Sequence, residues 1–267
     1  MNRIEELFKR KKNILSVYFS AGYPSLQDST RLIKALAAAG ADMLEIGIPF
    51  SDPLADGPVI QHSSEVALEN GMSVRILFQQ LRAFSPHRPK DLPLILMGYL
   101  NPVLQYGVEN FCREAKACGI DGLIIPDLPI HEYLESYRPL FEKYGLINIF
   151  LITPQTSEQR IRMIDEHSKG FIYLVSASST TGVKGEISTE QETYFKRIRD
   201  MKLHTLLLIG FGISDGAAFS KVCEYASGAI VGSAFVKAVS NTATLEQDVN
   251  AFASHMGLIL SEKQKAV

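Results

Sequence analysis

Three cysteines in 267 residues, Cys112, Cys118 and Cys223, exclude a disulfide framework. Their odd number and irregular spacing match no zinc or redox pair, and they read as reduced thiols of a cytosolic protein. The six histidines show no ligand spacing, so no metal site is expected. No apolar run approaches the roughly 18 residues of a membrane helix, and no apolar h-region follows the charged N-terminus. Neither a membrane span nor a signal peptide is therefore expected, and the expected compartment is the cytoplasm. A charge excess is lacking too. A formal net charge of -2 offers no electrostatic case for nucleic acid or an anionic membrane surface. The one local excess, Lys9-Arg10-Lys11-Lys12, reads as a solvated helix end, where cations meet the negative pole of the helix dipole. Tryptophan is absent altogether, which decides nothing by itself.

What is present is apolar sequence broken at short intervals. Hydrophobic residues make up 46% of the chain, enough for a sizeable core. Eight short apolar runs, at 14–20, 43–48, 94–98, 122–126, 147–152, 171–176, 205–209 and 228–231, alternate with amphipathic stretches. Most are apolar on both faces, as parallel strands covered on both sides must be. Helices are predicted at 26–39, 108–117, 131–143, 157–167, 189–201 and 215–224, with Ser25 capping the first and Ser214-Asp215 opening the last. Gly40, Gly119 and Gly145 stand just past helix ends, where a left-handed residue is cheapest. Eight βα units with no linker or composition break predict an α/β chain forming one (β/α)8 TIM barrel, a single domain over residues 1–267. An extra N-terminal helix at 3–11 would cover the barrel's bottom. A doubly wound open sheet is the alternative; the glycine-rich strand end of the last unit favours closure. Barrel chemistry sits beyond the carboxyl ends of the strands, and the long loops there are 49–61 and 177–188.

Two constellations carry chemistry. Thr181-Gly182, Gly210-Phe211-Gly212 and Gly232-Ser233 follow the last three strands. Glycine lets backbone N–H groups approach an anion, and Ser233-Ala234-Phe235-Val236-Lys237 reads as the short extra helix that completes a barrel phosphate site. A tight turn explains any one of these glycines; three consecutive strand ends favour phosphate. The second constellation is a pair of acids. Glu45 sits in an apolar strand, where desolvation disfavours its charged form, and Asp56 sits eleven residues on, in a Pro/Gly loop where it is expected to stay ionised. Two carboxyl groups in contrasting environments can offer a proton donor and a fixed charge at one pH. The alternatives are that Asp52 and Asp56 only shape turns and that Glu45 pairs with a buried Arg. No lysine lies within or at the end of the sixth or seventh predicted strand, so Schiff-base aldol chemistry lacks its nucleophile, and Lys184 reads as solvated or part of a lid. Asp127, after the fourth strand, faces the active end either to orient another polar group or as a turn acid, and Tyr99, Asn101 and Tyr173 also lie at strand ends, where they could equally form a packed rim.

The stretch Glu45-Ile46-Gly47-Ile48-Pro49-Phe50-Ser51-Asp52-Pro53-Leu54-Ala55-Asp56-Gly57-Pro58, with Tyr99-Leu100-Asn101, Tyr173, Thr181-Gly182, Gly210-Phe211-Gly212-Ile213 and Gly232-Ser233-Ala234, resembles the α subunit of tryptophan synthase. These residues span nearly the whole chain. The Pro-Phe-Ser-Asp-Pro-Leu-Ala-Asp-Gly-Pro portion is highly specific, whereas the glycine pairs are shared with many phosphate-binding barrels. The resemblance implies a lyase that cleaves indole-3-glycerol phosphate to indole and glyceraldehyde 3-phosphate without a cofactor. It matches Glu45 to proton transfer at indole C3 and Asp56 to the indole N–H. It matches Gly182, Gly212, Gly232 and Ser233 to the substrate phosphate. Phe19, Leu100, Ile152, Tyr173, Thr181 and Phe211 are expected in the indole pocket and lid. The implied partner is a β subunit, in an αββα heterotetramer, that holds pyridoxal phosphate and receives indole. Asp52, Pro53 and Asn101 are matched to that interface. One departure touches the lid: Ala177-Ser178-Ser179-Thr180-Thr181 stands where many family members have Arg, small residues and Gly.

Overall fold

The run Ile14-Leu15-Ser16-Val17-Tyr18-Phe19-Ser20 is buried at every position in the computed structural model, which describes residues 2–176, 187–210 and 212–258. It forms β1 (Ile14–Ser20). The strands that follow are β2 (Met43–Gly47), β3 (Leu94–Met97), β4 (Gly122–Ile124), β5 (Ile147–Ile149), β6 (Leu151–Ile152), β7 (Phe171–Val175), β8 (Leu206–Gly210) and β9 (Gly228–Val231). All pair in parallel, in the order β5-β4-β3-β2-β1-β9-β8-β7-β6. The two ends of that order are neighbours in the chain. Only Phe150 separates β5 from β6, and its carbonyl accepts the Tyr173 N–H at 2.8 Å. The predicted strand 147–152 is therefore one extended segment, pairing with β4 through its first half and with β7 through its second. That shift of partner along a single strand closes the ring and gives a TIM barrel.

Closure splits the apolar residues into two sets. Ile14, Met43, Ile95, Ile124, Phe171 and Leu208 point inward and, with Ile4 and Leu7, fill the lower lumen. Their neighbours Leu15, Val17, Phe19, Leu44 and Ile46 point outward into the helical layer. The helix Arg3–Arg10 plugs the bottom. Its start is a reciprocal cap, Asn2 accepting the Ile4 N–H at 2.9 Å and Glu5 accepting the Asn2 N–H at 3.3 Å. Ile4 and Leu7, 0% and 2% exposed, each contribute roughly 1.5–3 kcal/mol by burial. The helix ends one residue before the predicted 11 because Lys11 is already extended.

Other expectations needed adjustment. Ser25 does not cap the first βα helix: Asp28–Ala38 follows Gln27 with no side-chain cap. Asp215 does cap Gly216–Val222, accepting the Ala218 N–H at 2.9 Å. The loop 49–61 ends sooner than expected, since Pro58 suits a first helical position and opens Pro58–Glu69. A second helix, Val74–Phe84, follows before β3. Within 131–143, Pro139 has no N–H to continue the ladder, and residues Tyr133–Tyr137 widen into a π turn before Arg138–Lys143. Gly40, Gly119 and Gly145 have φ of 92°, 76° and 67°. No helix among the described residues is long and apolar enough to cross a membrane.

Candidate active site

Register decides what faces the upper lumen. In a parallel ladder, paired residues share a face, and Tyr18, Glu45 and Ile95 are paired across β1, β2 and β3. Glu45 therefore faces inward, directly above the apolar floor, and is fully buried. Its Oε1 accepts a hydrogen bond from Ser16 Oγ at 2.7 Å, while Oε2 has no partner among the described residues. Burial drives the Glu45 carboxyl from an ordinary 4.5 up to about 7, and the Ser16 bond opposes that rise only in part. No salt bridge reaches Glu45 from any described residue, so the buried Arg weighed as an alternative is not found there.

Asp56 stands on the loop above. Tyr99 Oη donates to its Oδ2 at 2.8 Å and accepts the Ala55 N–H at 2.9 Å, so one phenol ties down both carboxyl group and backbone. Tyr99 is itself stacked on Phe50, with ring centroids 5.1 Å apart. Asp56 is half-buried rather than freely solvated. Burial raises its carboxyl too, against the Tyr99 hydrogen bond, so the contrast between the two acids is smaller than the loop sequence suggests. Burial first, and then the nearby Asp56 and Glu45, push the Tyr18 and Tyr173 phenols upward, which brings the four groups into one electrostatic cluster.

Three of the expected pocket residues are not brought to this cluster. Phe19 is paired with Ile46 and packs in the outer layer; the adjacent Tyr18 takes the lumen position. Ile152 is paired with Leu174 and also faces outward, leaving Leu151, the partner of Tyr173, inside. Leu100 has left the sheet and begins the helix Leu100–Tyr106, while Met97, paired with Gly47, keeps the inward face. For Phe19 and Ile152 the physical reason is the same: successive strand residues alternate faces, and each lies one position off the inward-facing residue beside it. The signal was available, because Ser16, Tyr18 and Ser20 are the polar residues of an otherwise apolar strand. Tyr173 does face inward, and a Cβ on Gly210 would collide with its Oη.

A chain of hydroxyl groups fixes Tyr18. Ser63 Oγ donates to the Ile60 carbonyl at 2.9 Å, so Ser20 Oγ must donate to Ser63 at 2.6 Å and Tyr18 Oη to Ser20 at 3.3 Å. The Tyr18 proton is committed to Ser20, and its oxygen is left as an acceptor. At the other strand ends, Gly212 is exposed with φ 77°, Gly232 precedes the helix Ser233–Ala238, and Ser233 is exposed at its first position. Thr181, Gly182, Lys184, Phe211 and the 177–181 departure lie outside the described residues. Asp127 Oδ1 accepts the Leu100 N–H at 2.9 Å, anchoring the start of that helix. Asp52 and Asn101 are exposed and Pro53 half-exposed. A cavity of about 560 Å3 lies beside Asp52 and Pro53, against the solvent-facing side of helix Pro58–Glu69, and Leu54 next to it is 90% exposed. Among the described residues no group of three or more His, Cys, Asp or Glu side chains could hold a metal ion.

A closed parallel barrel with buried carboxyl chemistry at the carboxyl ends of its strands belongs to the class of (β/α)8-barrel enzymes. The profile of the tryptophan synthase alpha chain family matches residues 4–264. The chain is 56% identical over 237 residues to the tryptophan synthase alpha chain of Flavobacterium psychrophilum, covering 89% of this chain and 93% of that one. It is 55% identical to that of Flavobacterium johnsoniae, covering 91% and 95%. Among solved structures, the tryptophan synthase alpha chain of Legionella pneumophila superposes with a TM-score of 0.84 at 35% identity, over 96% of each chain. An aminoacrylate-bound tryptophan synthase from M. tuberculosis gives 0.82 at 30% identity, over 97% and 100%. The chain belongs to the tryptophan synthase alpha chain family.

Proposed function

We propose that Glu45 transfers the protons and Asp56 supplies the fixed negative charge in cleavage of indole-3-glycerol phosphate to indole and glyceraldehyde 3-phosphate, the reaction of this family. The bond to be broken joins indole C3 to a hydroxyl-bearing carbon. In the first step the Glu45 O–H bond breaks and a C3–H bond forms, leaving a carboxylate and a cationic ring. Asp56, accepting the ring N–H, opposes that charge in a site with little water to screen it. In the second step the Glu45 carboxylate takes the proton of the side-chain hydroxyl. The C–O bond becomes a carbonyl, the C–C bond breaks, and its electron pair returns to the ring. Glu45 ends protonated, as it began. Because the protonated ring accepts the electrons itself, this reading needs no cofactor and no metal.

The observation that carries the reading is Glu45: fully buried, without a cation among the described residues, and raised to about 7, it can both give and take a proton near neutral pH. Gly212, Gly232 and Ser233, with Gly182, are the proposed phosphate contacts, whose remote binding energy aligns the reacting carbon. Tyr18, Met97, Leu151 and Tyr173 are the proposed walls of the indole pocket. Asp52, Pro53 and Asn101, beside the exposed Leu54, are the proposed contact with a β subunit that receives indole in an αββα assembly; pyridoxal phosphate belongs to that subunit. We read residues 1–267 as one domain of a cytoplasmic enzyme. The test is Glu45→Gln, which keeps size and hydrogen bonding but carries no exchangeable acid proton. Indole formation should vanish while binding of a phosphate-bearing substrate analogue persists; turnover like that of the unaltered chain would sink the assignment.

A further inference from the structure

Below Glu45 the lumen is hydrocarbon, contributed by Ile14, Met43, Ile95, Ile124, Phe171 and Ile230. Ser16 is out of place in that company. It is 0% exposed and is paired with Met43 on one side and Ile230 on the other. A buried hydroxyl group costs free energy unless it is hydrogen-bonded, and nothing in the floor can bond it. Its partner lies above: Oγ donates to Glu45 Oε1 at 2.7 Å. The second oxygen, Oε2, is equally buried and has no partner among the described residues. Chain packing alone would be served by an aliphatic residue at position 16, so the hydroxyl is explained by what it does to the carboxyl group.

We propose that Ser16 is a positioning residue that decides which oxygen of Glu45 carries the exchangeable proton. An oxygen already accepting a hydroxyl hydrogen is the poorer seat for a hydrogen of its own, so Oε1 serves as the carbonyl-type oxygen. Oε2, with no competing partner, holds the proton and is the oxygen that gives it to the substrate and takes one back. The bond also restrains rotation of the carboxyl group, for which no second hydrogen bond is found among the described residues. The inference rests on Glu45 being the proton-transfer group. Among the described residues the titratable groups that interact with it are Tyr18 from β1 and Tyr173 from β7, both of which also feel Asp56 on the loop, and none of these carries positive charge. Ser16 is thus the group found to favour ionised Glu45, against burial.

Ser16→Ala and Ser16→Cys in the full-length chain test this, the second keeping the volume and a weak donor. Glu45 is followed directly by a carbon-13 NMR titration of the free protein, and kcat/KM for indole-3-glycerol phosphate is followed against pH. Removing a bond to the charged form should move the Glu45 midpoint upward by about one pH unit in Ser16→Ala, with Ser16→Cys in between. The descending limb of kcat/KM should move with it. Below both midpoints, where Glu45 is protonated in every variant, kcat should still fall about tenfold through lost alignment, with KM little changed. A Glu45 midpoint that stays put in both variants, with native circular dichroism, overturns the role of Ser16. A midpoint that moves while the kcat/KM limb does not upholds Ser16 and instead removes proton transfer from Glu45.

Discussion

Burial makes Glu45 costly to ionise in the folded protein. Its folded-state pKa, about 7, lies above the ordinary 4.5, so between those values the unfolded chain releases a proton that the folded chain keeps. Stability attached to this group is therefore full below about pH 4.5 and is lost as pH rises to about 7, by about 3 kcal/mol at most. Glu45→Gln should accordingly raise the urea midpoint at pH 8 and leave it nearly unchanged at pH 5; a lower midpoint at pH 8 would contradict the burial argument. In the proposed mechanism the neutral acid is the active form, so indole formation should decline as pH rises through about 7. Asp56→Asn, which removes the fixed charge without removing volume, should cut kcat by about 100-fold with the fold retained. Full activity would return Asp56 to a turn-shaping role. Tyr99→Phe deletes the bonds to both Asp56 and Ala55 and should lose about tenfold in kcat/KM. Activity equal to that of the unaltered chain would show that the loop needs no anchor.

At the scale of elements, the barrel separates stability from chemistry along its axis. The Arg3–Arg10 helix seals the bottom with Ile4 and Leu7, far along the strands from Asp56. Ile4→Ala should cost about 2–4 kcal/mol of unfolding free energy, seen in denaturant titration, while kcat at 25 °C per folded molecule stays within about twofold. A large kcat loss in that variant would mean the floor is coupled to the upper lumen. The glycines at the top divide in the same way. A Cβ on Gly47 would strike Tyr18 Oη, so its absence is required by packing. A Cβ on Gly232 would meet the Tyr18 side chain at only 3.6 Å, an ordinary contact at a negative φ. Gly232→Ala should therefore fold normally, and about a tenfold rise in KM would mark the glycine as needed by the ligand rather than by the fold. An unchanged KM would remove Gly232 from the phosphate site.

At the scale of the whole molecule, much was legible in the sequence. The strand β1 (Ile14–Ser20) and the strand β9 (Gly228–Val231) coincide with their predicted ranges, because both-sided burial leaves continuous apolar runs between turn residues. The pair Glu45 and Asp56 was visible as a charge inside an apolar strand and an acid in a Pro/Gly loop. Pocket walls were harder to read. Phe19, Leu100 and Ile152 are apolar residues near strand ends, and apolarity alone cannot tell the lumen from the helical layer when both are hydrocarbon. The helix Pro58–Glu69 was not predicted, since its Pro58 start continues the Pro/Gly composition of the loop before it. The proposed contact residues Asp52, Pro53 and Asn101, with the exposed Leu54, bear on assembly: adding a tryptophan synthase β subunit should raise the isolated rate of indole formation. No activation and no co-purification would count against that surface.

The order of apolar runs, the cap at Asp215, the left-handed glycines and the presence of an acid in a strand were determined by the sequence itself, since each depends on local backbone preference or on the cost of burying charge. Tertiary structure decided the rest. Closure through Phe150 required one strand to serve two neighbours, a pairing that no local pattern encodes. Register then placed Tyr18 rather than Phe19 beside Glu45, set Ser16 beneath it as its hydrogen-bond donor, and drew Tyr99 across to hold Asp56. These are contacts between residues 29 and 43 positions apart, and only the folded barrel brings them within hydrogen-bonding distance.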